Sequence, residues 1–452
     1  MDKLPSEIVH IIASLLDVRS LCHFRLVSKS LAAIGAAHLL PEVTFEAHEQ
    51  ELERLRAISE HPVLARHVRS LLYFGVCLRH PPGSFREFAR EYRSQRTIGY
   101  ATQMGCERAH ANISRARFEE GYRKYVAVVE NQYRVLADRA DVAVLREVLP
   151  RFTGLRQLTM SDVEKFHPQR LRRRKTPSEA TVNMADLLSD RLNGDRQLEA
   201  LLLANNESAK CEIESLRAGL LHWKFFDRSP VELKQLFGSL SKLKRLELIV
   251  SIEGQGGTPD ISQFEDMMAK GGVRDALSSM ADLETLVVNF TCYVKQEFLG
   301  PKVVLNHLIQ LRYRWRNLQH LVLAGVNCSR QELMNVLQLH KDTLQGLCLQ
   351  DTDLKSTSWR ELLPWIRKNM NLFDVCISAI EARLEEFQNW VDLEDLGSDG
   401  VDGYDEEEEE QEDGDDDYHG FGNEDGFGYF LEDDYEVEDD EDGDDDNGSS
   451  VG

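Results

Sequence analysis

From Leu155 onward one short spacing keeps returning: apolar, two others, apolar, one other, apolar. It reads in LRQLTM, LEALLLANN, LKRLELIV, LETLVVNF, LQHLVLAGVNC, LQGLCLQDTDL and LFDVCIS, which begin at Leu155, Leu198, Leu243, Leu283, Leu318, Leu344 and Leu372. Alternation over so few residues predicts short strands with one buried face. Between them lie helical patterns: Val303, Leu305, Leu308 and Leu311 share one face, SRQELMNVLQLH starts at a capping Ser329, and SWRELLPWIRKN follows. A strand this short cannot bury its apolar side alone, so stacked units must do it together. The expected fold is an α/β solenoid, with parallel strands on a concave face and helices outside.

The final intervals, 26 and 28 residues, fit the 20–29 of leucine-rich repeats, while earlier ones of 35 to 45 residues require inserted loops. In LEALLLANN, Asn206 stands where such repeats use an Asn to satisfy backbone groups at the turn. Upstream, the segment 41–150 reads as a mostly helical connecting region. VRSLLYF hints at a strand through Val68, Leu71 and Tyr73, and a long charged helix places Tyr122, Val126, Val129, Tyr133 and Leu136 on one face.

The chain opens with MDKLPSEIVHIIASLL, where Ile8, Ile11, Ile12, Leu15 and Leu16 fall on one helical stripe. Pro5 suits a first helical position and Glu7 suits the positive end of the helix dipole. Asp17 is placed to cap a second helix carrying Val18, Leu21, Phe24 and Val27 inward. Ser28 is placed to cap a third with Leu31 and Ile34, stopped by Gly35. Some forty residues rarely make a self-sufficient core. The trio therefore docks on something larger.

LPSEIVHIIASLLDVRSLCHFRLVSKSLAAIG resembles an F-box, through Leu4-Pro5 with Glu7 and Ile8, then Ile11 and Leu15, then Leu21, then Leu26-Val27-Ser28-Lys29. Leu31 stands where the family usually carries an aromatic. The resemblance implies a non-catalytic adaptor: Leu4, Pro5, Ile8, Ile11, Leu15, Leu21 and Val27 would bind the Skp-type linker protein of an SCF ubiquitin ligase, and through it a cullin. The repeats would hold an unknown protein substrate. An F-box followed by degenerate leucine-rich repeats is similar in architecture to fungal and other eukaryotic substrate receptors. The expected order is an F-box at 1–40, the connecting region at 41–150, a leucine-rich-repeat-like array at 151–392 and a disordered acidic tail at 393–452.

That tail explains the charge. Glu394–Asp446 holds 29 Asp and Glu and no Lys or Arg, so the formal −25 reduces to a body of 49 acids against 53 bases. Such a segment repels itself and has little to bury. Leucine-rich repeats with an acidic tail also resemble acidic nuclear phosphoproteins that bind histones or other basic partners, the alternative reading. Arg170, Arg172, Arg173, Arg174 and Lys175 form a basic loop suited to nuclear import or an acidic partner. A near-neutral body gives nucleic acid little general attraction.

No G-x-S-x-G, H-E-x-x-H or G-x-x-x-x-G-K-[ST] motif is present, and SIEGQGGTPD breaks the dinucleotide fingerprint at Pro259. No catalytic residues, cofactor or metal site are expected; His320 beside its strand reads as structural or surface. Eight scattered cysteines without a C-x-x-C pair suit reduced thiols inside the cell. With no secretory signal or apolar run of membrane-spanning length, the expected location is cytoplasm, nucleus or both, with no membrane contact.

Overall fold

The computed structural model describes residues 4–75, 77–78, 80, 83–88, 115–161, 189–190, 194–208, 212–252, 261–291, 302–355 and 358–378. Three helices lead: α1 (Ser6–Ser14), α2 (Val18–Val27) and α3 (Lys29–Leu39). The strands are β1 (Glu42–Glu46), β2 (Ser70–Phe74), β3 (Cys77–Leu78), β4 (Gln157–Ser161), β5 (Ser189–Asp190) and β6 (Ser215–His222). They continue as β7 (Arg245–Ser251), β8 (Thr285–Thr291), β9 (Val303–Val304), β10 (His320–Ser329), β11 (Gly346–Lys355) and β12 (Asp374–Ser378).

Nine of them form one parallel sheet in chain order, β1-β2-β4-β6-β7-β8-β10-β11-β12, which does not close on itself among the described residues. The two-residue β9 pairs with β10, and β3 pairs antiparallel with β5. Register aligns Val43, Leu71, Leu158, Leu216, Leu246, Leu286, Leu321, Leu347 and Val375 across the sheet. These are the middle apolar positions of the recurring spacing, and they face a single core shared with the intervening helices. At each step one carbonyl just before a strand accepts two N–H groups from the next unit, from Pro41 through Arg69, Arg156, Glu214, Lys244, Glu284 and Gln319 to Gln345, at 2.7–3.3 Å.

Two expectations change here. The sheet begins at Glu42, inside the segment expected to be a helical connector, because Leu40-x-x-Val43-x-Phe45 and Val68-x-x-Leu71-x-Tyr73 already carry the spacing. LEALLLANN is no strand: Gly194–Glu207 is a helix, and the strand of that unit follows at Ile213-x-x-Leu216-x-Ala218. Leu198, Leu201, Leu202 and Asn205 lie at helical spacing and all are buried. Asn206 does hold a turn, but the next unit's, donating to the carbonyls of Gln235 and Leu236 and accepting from the Ser239 N–H.

The helix Arg115–Ala137 buries Tyr125, Val129, Gln132 and Val135, leaving Tyr133 exposed, so its inward face is turned from the expected one. The face expected from Val303 to Leu311 forms only one helical turn, Leu305–Leu308, after β9. Ser329 caps Arg330–Leu339 as expected, in a capping box with Glu332. In β10, Gly325 adopts φ 72°, and a Cβ there would stand 2.5 Å from the Phe290 carbonyl oxygen. Only glycine fits that bend. Residues 253–260, carrying SIEGQGGTPD's glycines, lie outside the described residues. Among the described residues no helix is long and apolar enough to cross a membrane.

A buried polar clamp fixes the long insertion between β2 and β4. Asp141, fully buried, accepts from Tyr73 Oη at 2.7 Å and from Arg196 Nη1 and Nη2 at 2.7 and 3.1 Å. Arg196 Nη2 also donates to the Leu136 carbonyl at 2.7 Å. Burial, then the Asp141 carboxylate, raises the Tyr73 hydroxyl well above its ordinary range. Removing one partner of such a set leaves buried charge uncompensated. Asp141→Ala should cost about 3 kcal/mol in urea unfolding, against about 1 kcal/mol for Tyr73→Phe.

Candidate functional site

The leading helices begin and end on local signals. Asp17 Oδ1 accepts from the Ser20 N–H at 2.8 Å and Ser28 Oγ from the Leu31 N–H at 3.2 Å, satisfying N–H groups that α2 and α3 leave free. Gly35 does not stop α3, which runs on to Leu39; it lets α2 approach, since a Cβ there would stand 2.5 Å from Arg25 Cγ.

Inside the trio Val9, Ala13, Leu21, Phe24 and Leu31 form a core of their own, with Leu16, Ile34 and Leu39 packed against it. The apolar residues of α1 therefore divide. Val9 and Ala13 face inward, while Ile8 is 43%, Ile11 56% and Leu15 80% exposed, with Leu4 at 43% just before the helix. Positions 4, 8, 11 and 15 repeat at helical spacing, so these four make one outward stripe. Leu26 and Val27, 83% and 70% exposed, lie at the end of α2.

Pro5 lies at the exposed start of α1. Two expectations are corrected. Leu21, expected to touch a partner, is 1% exposed and belongs to the module's interior. Val18, expected to turn inward, points out, because α2 needs only Leu21 and Phe24 to meet α1 and α3, and Val27 is exposed as a contact residue must be. Leu26, outside the expected contact set, is as exposed as Leu15 within it.

Exposed apolar side chains in a row on a three-helix module are the kind of surface that a protein partner covers. Residues 1–35 match the family model of the F-box domain, so the chain carries an F-box at its start. No curated protein matches the chain.

A second surface is the sheet face turned from the helices. By register its middle row is Thr44, Leu72, Thr159, Arg217, Glu247, Val287, Val322, Cys348 and Cys376. Arg217 Nε and Arg245 Nη2 both donate to Glu247 Oε2, at 2.9 and 3.2 Å, so one carboxylate near the row's centre is shared by two guanidinium groups. Beyond it Val287, Val322 and Cys348 are half-buried and Cys376 exposed. His320 is an exposed residue at the start of β10. The basic run Arg170, Arg172, Arg173, Arg174 and Lys175 and the acidic tail lie outside the described residues. No group of three His, Cys, Asp or Glu suited to a metal occurs among the described residues.

One titratable contact lies within the module. His10 Nδ1 and His38 Nε2 stand 2.9 Å apart, joining α1 to α3 through one shared proton. Burial, then the neighbouring His10, lowers the His38 pKa; burial, then Arg66 and Arg69, lowers that of His67 nearby. A histidine whose folded pKa is lowered gives stability that is present above its unfolded pKa, near 6.5, and lost as pH falls below it. Thermal midpoints should therefore drop between pH 7.5 and 5.5, and His38→Gln should show a shallower drop, with the buried His48 and His340 supplying the remainder.

Proposed function

We propose that this protein is a substrate-recognition adaptor of an SCF-type ubiquitin ligase. The observation that carries the reading is the outward stripe Leu4, Ile8, Ile11 and Leu15 within a segment matching the F-box domain. Burial of each such side chain is worth about 1.5–3 kcal/mol. Laid into an apolar groove, the stripe supplies the anchors of a helix-in-groove contact with a Skp-type linker, and the linker supplies the cullin. Pro5 and Val27 belong to the same contact; Leu21 supports it from beneath.

The sheet is read as the receptor. Strands in chain order, a recurring apolar-x-x-apolar-x-apolar spacing and one twice-accepting carbonyl per unit support an irregular leucine-rich-repeat solenoid. Its face turned from the helices would hold a protein substrate. The chain then acts without catalytic residues of its own, by holding that substrate near a ubiquitin-conjugating enzyme carried by other subunits. Such an adaptor works in the cytoplasm, the nucleus or both.

Ile8→Asp or Leu15→Asp should weaken binding to a purified Skp-type linker by about 100-fold, the 2.8 kcal/mol of one interface hot spot. The thermal midpoint of each variant should match the parent's. Leu21→Asp should abolish binding by melting the module, which circular dichroism would register. Unchanged linker affinity in Leu15→Asp would end the proposal.

A further inference from the structure

Cys348 and Cys376 stand directly opposite each other on β11 and β12, the last two strands of the described sheet. Both occupy the row turned from the helices, Cys348 half-buried and Cys376 exposed. Neighbouring strands run about 4.8 Å apart, inside the Cα separation of 4.4–6.8 Å that a disulfide tolerates. Register sets the two side chains next to each other on one face, close enough for the Cys348 thiol to feel the charge of Cys376. Asp374, two residues before Cys376, adds negative charge beside the pair.

The two sulfurs are not equivalent. Burial, then Cys376, pushes the Cys348 thiol up to about 12, so it stays protonated near neutral pH. Cys376 meets solvent, and a reagent arriving from water reaches it first.

We propose that Cys348 and Cys376 form a reversible dithiol–disulfide site, oxidised by a peroxide and reduced by a small thiol. In the forward reaction the Cys376 thiolate attacks one peroxide oxygen. The O–O bond breaks, the departing hydroxide takes a proton to become water, and Cys376 becomes a sulfenic acid. The Cys348 sulfur then attacks the Cys376 sulfur, its own proton leaving with the displaced hydroxyl as a second water. The two thiols give up two electrons, which reduce the peroxide to two waters. Reduction runs through a mixed disulfide at the exposed Cys376 sulfur, and two small thiols leave joined to each other.

Reversibility follows from the register. Cβ atoms directly opposed across parallel strands sit at about the strand spacing of 4.8 Å, wider than the 3.5–4.5 Å of a relaxed disulfide. Closing the bond draws β12 onto β11 and leaves strain that favours reduction. β11 is the partner of β12 in the described sheet, so the bond would staple the end strand to its one recorded neighbour.

The test uses the full chain treated with hydrogen peroxide, digested without reduction and analysed by mass spectrometry. A peptide pair joined through Cys348 and Cys376, lighter by two hydrogens than the two thiol peptides, should form and disappear on adding glutathione. Cys348→Ser should lose the cross-link and accumulate dimedone-trapped sulfenic acid at Cys376; Cys376→Ser should lose both. Overoxidation of Cys376 in the parent at the rate seen in Cys348→Ser, with no cross-link, would overturn the proposal. So would a cross-link from either residue to a different cysteine.

Discussion

The whole sheet hangs on one repeated backbone contact. Before each strand a single carbonyl accepts the first two N–H groups of the next unit, which sets the strands parallel and in register at the outset. Once that is fixed, every apolar-x-x-apolar-x-apolar spacing must place its residues in the same rows, because side chains alternate strictly along a strand. Length between units then matters little. The insertion separating β2 from β4 carries the helices Arg115–Ala137 and Ala140–Val148, yet Leu71 still meets Leu158. The Tyr73–Asp141–Arg196 clamp is what that insertion requires: it ties an early strand, an inserted helix and the next unit's helix to one buried carboxylate.

The leading module solves the opposite problem. Five buried side chains are too few for an independent domain, and α1 commits only Val9 and Ala13 to them. A helix designed only to cap the sheet would turn Ile8, Ile11 and Leu15 inward as well. Leaving them in water costs the stability their burial would add, about 1.5–3 kcal/mol each. That unspent burial is the clearest functional statement the fold makes.

Much of this was legible in the sequence, and the failures have physical causes. The strands after Leu243 read cleanly because their large apolar residues occupy all three positions of the spacing. IESLRA hid its strand because Ala218, the third position, is too small to stand out. LEALLLANN misled because a dense apolar run satisfies strand and helix periods at once, and only the fourteen-residue length of the element that contains it decides for the helix. The caps Asp17, Ser28 and Ser329 were readable from local chemistry alone. Which half of α1 faces inward was legible only through the F-box resemblance, since apolar residues surround most of the helix and the choice belongs to α2 and α3. The row of Cys348 and Cys376 was invisible for a related reason: 28 residues separate them, and only register brings them together.

How the module joins the sheet bears on what an adaptor can do. α3 ends at Leu39, β1 begins at Glu42, and Pro41 between them supplies the first of the twice-accepting carbonyls. Leu40 packs on the sheet's core while Leu39 packs on the module's, so two consecutive residues belong to two different interiors. α3 also packs on the helix Pro62–Ala65 of the following unit. A connection this short leaves no flexible linker over which the helices could swing. Proximity accelerates transfer only when both partners are held at a defined separation, and in the adaptor proposed above the backbone ladder that builds the sheet would hold the substrate at a fixed place relative to the helices.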